Sequence, residues 1–197
     1  FDVLIGACRI LADRGLHFQC EIVGYGPESQ NLQSMIAQNR LDGIVRLARA
    51  LPQEAVISRY AQASLFVLPC RIAADGDRDG IPNVLVEAMS MQLPVVSTPV
   101  SGIPELIVDG ENGLLCPAGD VLALADAMQR LLTDGKFAES LAARARSTVT
   151  KTFNLRDNLA TLYQLLMLMS GGSGVSAAPA VITESQVATP ERLSTRA

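Results

Sequence analysis

Leu65-Phe-Val-Leu-Pro-Cys-Arg-Ile-Ala-Ala-Asp-Gly-Asp-Arg-Asp-Gly-Ile-Pro-Asn-Val-Leu-Val-Glu-Ala-Met-Ser-Met-Gln-Leu-Pro-Val-Val-Ser97 changes its apolar period and changes it back. Leu65 to Leu68 is a short apolar run of strand length, and Pro94 to Ser97 is another. Between them, Asn83 to Met91 carries apolar residues three or four apart. That spacing predicts a helix, with Pro82 at its first position, where a missing N–H costs nothing. Strand, helix and strand in this order make a parallel β-α-β unit.

The same alternation extends in both directions. Val3, Leu4, Ala7, Cys8 and Leu11 repeat at helical spacing, with Gly15 as the stop. Further buried strands are expected at Cys20 to Val23, Ile44 to Leu47 and Gly113 to Cys116. Helical patterns at Glu28 to Asn39 and Glu54 to Ala61, and a short turn over Gly102 to Val108, fill the gaps. After Cys116 three helices follow, with stripes at Leu122 to Leu132, Leu141 to Val149 and Leu155 to Met169. The predicted fold is α/β, a parallel sheet flanked by helices. One domain over residues 1–170 is expected, followed by a disordered tail over 171–197, rich in Gly, Ser, Ala, Thr and Pro.

Composition narrows the function. A hydrophobic fraction of 49% over 197 residues supports one well-buried core. A net charge of −4 removes the electrostatic case for nucleic acid, which needs a clustered basic face. The four cysteines, Cys8, Cys20, Cys70 and Cys116, form no CxxC pair and read as free thiols of a cytoplasmic protein. The longest apolar run near the end, Leu162 to Met169, is far short of a membrane span.

The segment from Asp75 to Met89 follows a strand, which is where open α/β sheets place their ligand crevice. Gly80 lets the backbone approach a ligand, and the N–H groups of the following helix start favour a diphosphate. Asn83 and Glu87, four apart, share one helix face. Glu87 lies between Val86 and Ala88 and is expected to offer a half-buried carboxylate that ribose hydroxyls would satisfy. Residue types alone leave an ordinary solvated acidic loop and amphipathic helix equally open. A calcium loop matches Asp75, Asp77, Asp79 and Gly80. It fails at Pro82 and at Val86, where the bidentate acid should stand. The Asp75 and Asp77 pair is a weak imitation of a DxD metal motif, and no metal or cofactor is expected.

The run Asp79-Gly-Ile-Pro-Asn-Val-Leu-Val-Glu-Ala-Met-Ser-Met-Gln-Leu-Pro-Val-Val-Ser-Thr98 is followed by Val-Ser-Gly-Ile-Pro-Glu-Leu-Ile107 and Asp-Gly-Glu-Asn-Gly-Leu-Leu115. Together they resemble the C-terminal, donor-binding domain of group 1 glycosyltransferases, glycosyltransferase family 4. The similarity runs from Phe1 to about Met169 and includes Val23-Gly-Tyr-Gly-Pro-Glu28, the family's glycine loop. It implies the Rossmann-like half of a GT-B fold, with the first strand of that half missing from this sequence. It also implies a retaining hexosyltransferase that moves sugar from a UDP- or GDP-sugar to a glycan or glycolipid. The phrase Gly76 to Asn83 points toward exopolysaccharide and colanic-acid-type enzymes at the cytoplasmic membrane face.

In such enzymes two acids separated by seven residues define the donor site. By this resemblance Asp79 is the catalytic acid facing the transferred sugar and Glu87 holds the ribose. Gly24, Gly26, Gly80, Ile81, Pro82, Asn83 and Val84 complete the donor contacts, and the nucleobase lies near Leu47 to Leu51. Two departures stand out. Asp79 replaces the usual Glu and is one methylene shorter. Gln92 replaces a Gly after the helix, which requires tolerance of a left-handed residue.

Weaker candidates stand beside this site. Gly24 to Ser29 imitates a dinucleotide fingerprint, but its third position is Ser29 and no acid ends the next strand. His17, the only histidine, reads as a surface residue. Cys70 is a small core residue that could line the pocket, and Arg71 and Arg78 are solvated or face phosphate. The family's basic turn before the first helix and its acceptor-binding N-terminal domain are absent from this sequence. The chain is therefore expected to be a fragment, inactive alone. A nucleotide-sugar 2-epimerase and a non-catalytic nucleotide-sugar-binding module are the alternatives.

Overall fold

The computed structural model describes residues 1–72, 76 and 80–169. The segment expected to be a tail, 171–197, lies outside them. The chain divides into two compact units, Phe1–Leu155 and Arg156–Ala197.

In the first unit the order is α1 (Asp2–Asp13), β1 (Cys20–Val23), α2 (Ser29–Gln38), β2 (Val45–Ala48), α3 (Gln53–Gln62) and β3 (Phe66–Leu68). Then come α4 (Asn83–Ser90), β4 (Val95–Ser97), α5 (Ile103–Leu106), β5 (Leu114–Leu115), α6 (Val121–Thr133) and α7 (Gly135–Thr152). Helix α8 (Leu155–Met169) begins at the last residue of the first unit and supplies the described part of the second. Every expected element is present, with most ends shifted by a few residues and α7 beginning at Gly135, well before the expected Leu141. Pro82 is the cap of α4, with extended backbone, rather than its first residue.

All strand pairs are parallel, in two sheets of order β1-β2 and β3-β4-β5. Alternation along β4 sends its side chains to opposite faces. Val96 joins Leu11 of α1, Ile36 of α2 and Leu124 of α6 in one core. Val95 joins Met89 of α4, Leu106 of α5 and Val149 of α7 in the other. The expectation that all five strands are buried holds for β4 alone. Strand β3 is half-buried throughout and Val23 of β1 is exposed. Among the described residues β1, β2, β3 and β5 each have a pairing partner on one side only, which leaves them less covered than β4. None of the four cysteines is in a disulfide. Cys8 and Cys116 are buried, Cys20 and Cys70 half-buried.

Helix α4 ends in the left-handed residue expected of Gln92, with φ of 58°. The Leu93 N–H then donates to the Ala88 carbonyl at 3.1 Å, closing the helix end and burying Leu93. A non-glycine residue in this conformation costs about 1–2 kcal/mol. The larger chain entropy of glycine offsets roughly 0.5–1 kcal/mol of that. Gln92→Gly is therefore expected to stabilise the chain by about 0.5–1 kcal/mol, read as a rise in the urea midpoint. An unchanged or lower midpoint would show that no strain resides there.

Candidate functional site

The ends of β3 and β4 are fastened to one another by buried hydroxyls. Ser97 Oγ donates to the Leu68 carbonyl and Thr98 Oγ1 to the Cys70 carbonyl, each at 2.7 Å. Both side chains come from residues that are almost fully buried. These bonds tie the exit of β3 to the exit of β4, so the loop toward α4 leaves from a fixed base. A second tie joins that exit to α1, where Arg71 pairs with Asp2 at 3.0 Å. Of the two readings of Arg71, the structure gives it an ion pair on an exposed surface.

The approach to α4 crosses α5. The Gly102 N–H donates to the Gly80 carbonyl at 3.3 Å. A Cβ on Gly102 would lie 2.8 Å from Cγ1 of Ile81 and 3.5 Å from the Gly80 carbonyl. Gly102 is thus the residue that lets the Gly80-Ile81 backbone settle against the α5 start. Gly102→Val is expected to displace Ile81 and to weaken several-fold the nucleotide binding expected of this site, while leaving most of the stability intact. Retained affinity would separate the α5 contact from the site.

At α4 the burial pattern selects a face. Leu85, Ala88 and Met89 are buried, whereas Asn83, Val84 and Glu87 are exposed. Pro82 is buried and Ile81 half-buried. The first-turn N–H groups receive no side-chain cap, which leaves their partial positive charge facing outward. Glu87 differs from its expected half-buried state. It is exposed because one helical turn places it with Asn83, away from the Leu85 and Ala88 stripe. Its carboxylate is nonetheless held, since the Tyr60 hydroxyl donates to Oε2 at 3.2 Å. Asp79, together with Asp75, Asp77 and Arg78, lies outside the described residues.

The glycine loop closes on itself at the end of β1. Gly24 has a φ of 146°, which L side chains rarely adopt, and its N–H donates to the Ala48 carbonyl at 3.0 Å. Ser29 Oγ accepts from the Gly26 N–H at 3.2 Å and donates to the Gly26 carbonyl at 2.7 Å. The Gly26 N–H is thereby committed within the loop. His17 is exposed, as expected of a surface residue. Among the described residues no three His, Cys, Asp or Glu side chains gather as a metal-ligand set, and no helix is long and apolar enough to cross a membrane.

Sequence reasoning missed Tyr60, Ser97, Thr98 and Gly102. For Tyr60 a signal existed. Val56 and Tyr60 lie four apart on the apolar stripe of α3, and a tyrosine on such a stripe needs a partner for its hydroxyl.

Residues 1–134 match the family Glycosyl transferases group 1. The chain belongs to that family. Among relatives, the amylovoran biosynthesis glycosyltransferase AmsK of Erwinia amylovora is 43% identical over 152 residues, 77% of this chain and 37% of that protein. The putative colanic acid biosynthesis glycosyltransferase WcaL of Salmonella typhimurium is 38% identical over 168 residues, 83% of this chain and 41% of that protein. This group 1 chain thus spans about two fifths of the length of these relatives. Its fold matches that of Anabaena Alr3699/HepE in complex with UDP, with a TM-score of 0.74 at 21% identity over 84% of this chain and 44% of that one. It also matches the C-terminal domain of the group 1 protein LpcC from Francisella tularensis, with a TM-score of 0.68 at 20% identity over 78% and 79%. The expected group 1 family and the expected α/β, GT-B-type architecture are thereby established.

Proposed function

We propose that this chain is the nucleotide-sugar-binding part of a retaining glycosyltransferase that builds a polysaccharide. Glu87 receives the donor ribose, the N-terminus of α4 faces the diphosphate, and Asp79 faces the transferred sugar. The observation that carries this reading is the Glu87 carboxylate, set on the exposed face of α4 one turn from an uncapped helix start. A carboxylate suits two ribose hydroxyls because it accepts from both and repels the diphosphate toward the helix N–H groups.

Catalysis in the intact protein would rest on holding donor and acceptor in line and on stabilising the departing diphosphate. The names of AmsK and WcaL support exopolysaccharide assembly, and the UDP held by the Anabaena protein supports a nucleoside diphosphate donor. Strands β1 and β3 are sheet edges, as β2 and β5 are, and the family resemblance supports a further parallel strand of the intact protein between them.

Calorimetric titration of the intact protein with UDP, GDP and ADP, each against its bare nucleoside, tests the reading. One diphosphate should bind measurably and its nucleoside far more weakly. Failure of all three to bind would sink it.

A further inference from the structure

We propose that Tyr60 is a positioning residue for the donor, its hydroxyl holding the Glu87 carboxylate in the rotamer that receives the ribose. The proposal rests on the reading of Glu87 as the ribose acceptor.

Tyr60 is only 8% exposed, and its ring stands edge-on to Phe66 of β3, with centroids 5.7 Å apart and planes at 80°. The ring is therefore fixed by the core, through a strand that itself leads into the site. Its hydroxyl reaches Glu87 Oε2 at 3.2 Å. Burial, and then the charge of Glu87, push the phenol up to about 12, so it stays a proton donor throughout the neutral range. By donating to one oxygen it leaves Oε1 without a hydrogen bond from any described residue.

An exposed glutamate otherwise samples several rotamers, and ordering it on binding costs side-chain entropy. A carboxylate already held by a rigid neighbour avoids much of that loss. Arg59, the cation next to Tyr60 on α3, is engaged elsewhere, paired with Glu21 at 2.9 Å.

The alternative is that Glu87 serves Tyr60, merely satisfying a buried hydroxyl. The two roles predict different ligand dependence. Dissociation constants of UDP, GDP and their 2′,3′-dideoxy forms would be measured on the intact protein with wild-type, Tyr60→Phe, Glu87→Ala and doubly substituted sequences. Tyr60→Phe keeps the ring against Phe66 and removes one oxygen.

It should weaken the ribonucleotide about three- to tenfold, the worth of one hydrogen bond, and leave the dideoxy form unchanged. Glu87→Ala should weaken the ribonucleotide more, and adding Tyr60→Phe to it should change nothing further. If Glu87→Ala discriminates ribose but Tyr60→Phe does not, the Tyr60 proposal is overturned while the site stands. If neither variant discriminates, the Glu87 reading falls and the proposal with it. Should Tyr60→Phe fold poorly, Glu87→Gln supplies the second measurement. It keeps one acceptor for the phenol and should cost the ribonucleotide less than Glu87→Ala, and an equal loss would count against positioning.

Discussion

Glu87→Ala is expected to lower kcat/KM for the nucleotide-sugar donor by about a hundredfold in the intact protein, with little change in melting temperature. Two charge-assisted hydrogen bonds to ribose are worth roughly 1.5 kcal/mol or more each, about 3 kcal/mol together. At 1.36 kcal/mol per factor of ten, that is slightly more than a hundredfold. Ribose is remote from the bond that breaks, so its contacts act alike on bound substrate and transition state. The loss should appear in KM far more than in kcat. Asp79, if it faces the transferred sugar, should show the opposite split when replaced by asparagine. The fold should survive Glu87→Ala because the side chain is exposed and alanine favours the helix. The Tyr60 hydroxyl loses its acceptor, at about 1 kcal/mol. Wild-type transfer by Glu87→Ala would refute the site assignment.

What the sequence disclosed follows from which physical signals are local. Apolar period is local, and it placed β4 and α4 almost to the residue. The left-handed conformation of Gln92 is not a local signal, because it is expected only from the family resemblance, which puts a glycine at that helix end. Side-chain partnership is not local. Tyr60 and Glu87 are 27 residues apart and Thr98 and Cys70 are 28 apart, so neither pairing can be seen until β3 and β4 stand side by side. Burial fails for the same reason. Val23 and Phe66 belong to runs that read as buried strands, yet strand coverage depends on neighbours that a period of two does not name. The exposure of Glu87 was legible in principle. Its helix carries Leu85, Ala88 and Met89 on one side, and the flanking Val86 and Ala88 misled only because sequence neighbours are not helix-face neighbours.

Asn112→Ala should destabilise the chain by about 3 kcal/mol, although Asn112 sits in a loop between α5 and β5. Its side chain is buried and makes three hydrogen bonds. Oδ1 accepts from the Val108 N–H at 2.8 Å, and Nδ2 donates to the Leu106 carbonyl and to Thr148 Oγ1, each at 3.1 Å. Truncation removes these bonds and strands backbone groups at the end of α5, at roughly 1 kcal/mol or more for each. For a chain of this length about 3 kcal/mol lowers Tm by roughly 6–12 °C. Thr148 lies on α7, and α7 packs against α4 in the core beneath the proposed site. Loosening the loop therefore loosens the support of Glu87, and nucleotide affinity should fall alongside Tm. Asn112→Asp separates polar satisfaction from shape. It keeps the acceptor for Val108 but loses the donor to Leu106 and Thr148, so it should fall at least as far as Asn112→Ala, because it also buries a charge. A Tm within two degrees of wild type for Asn112→Ala would show that water replaces all three bonds without cost and that the loop does not brace α7.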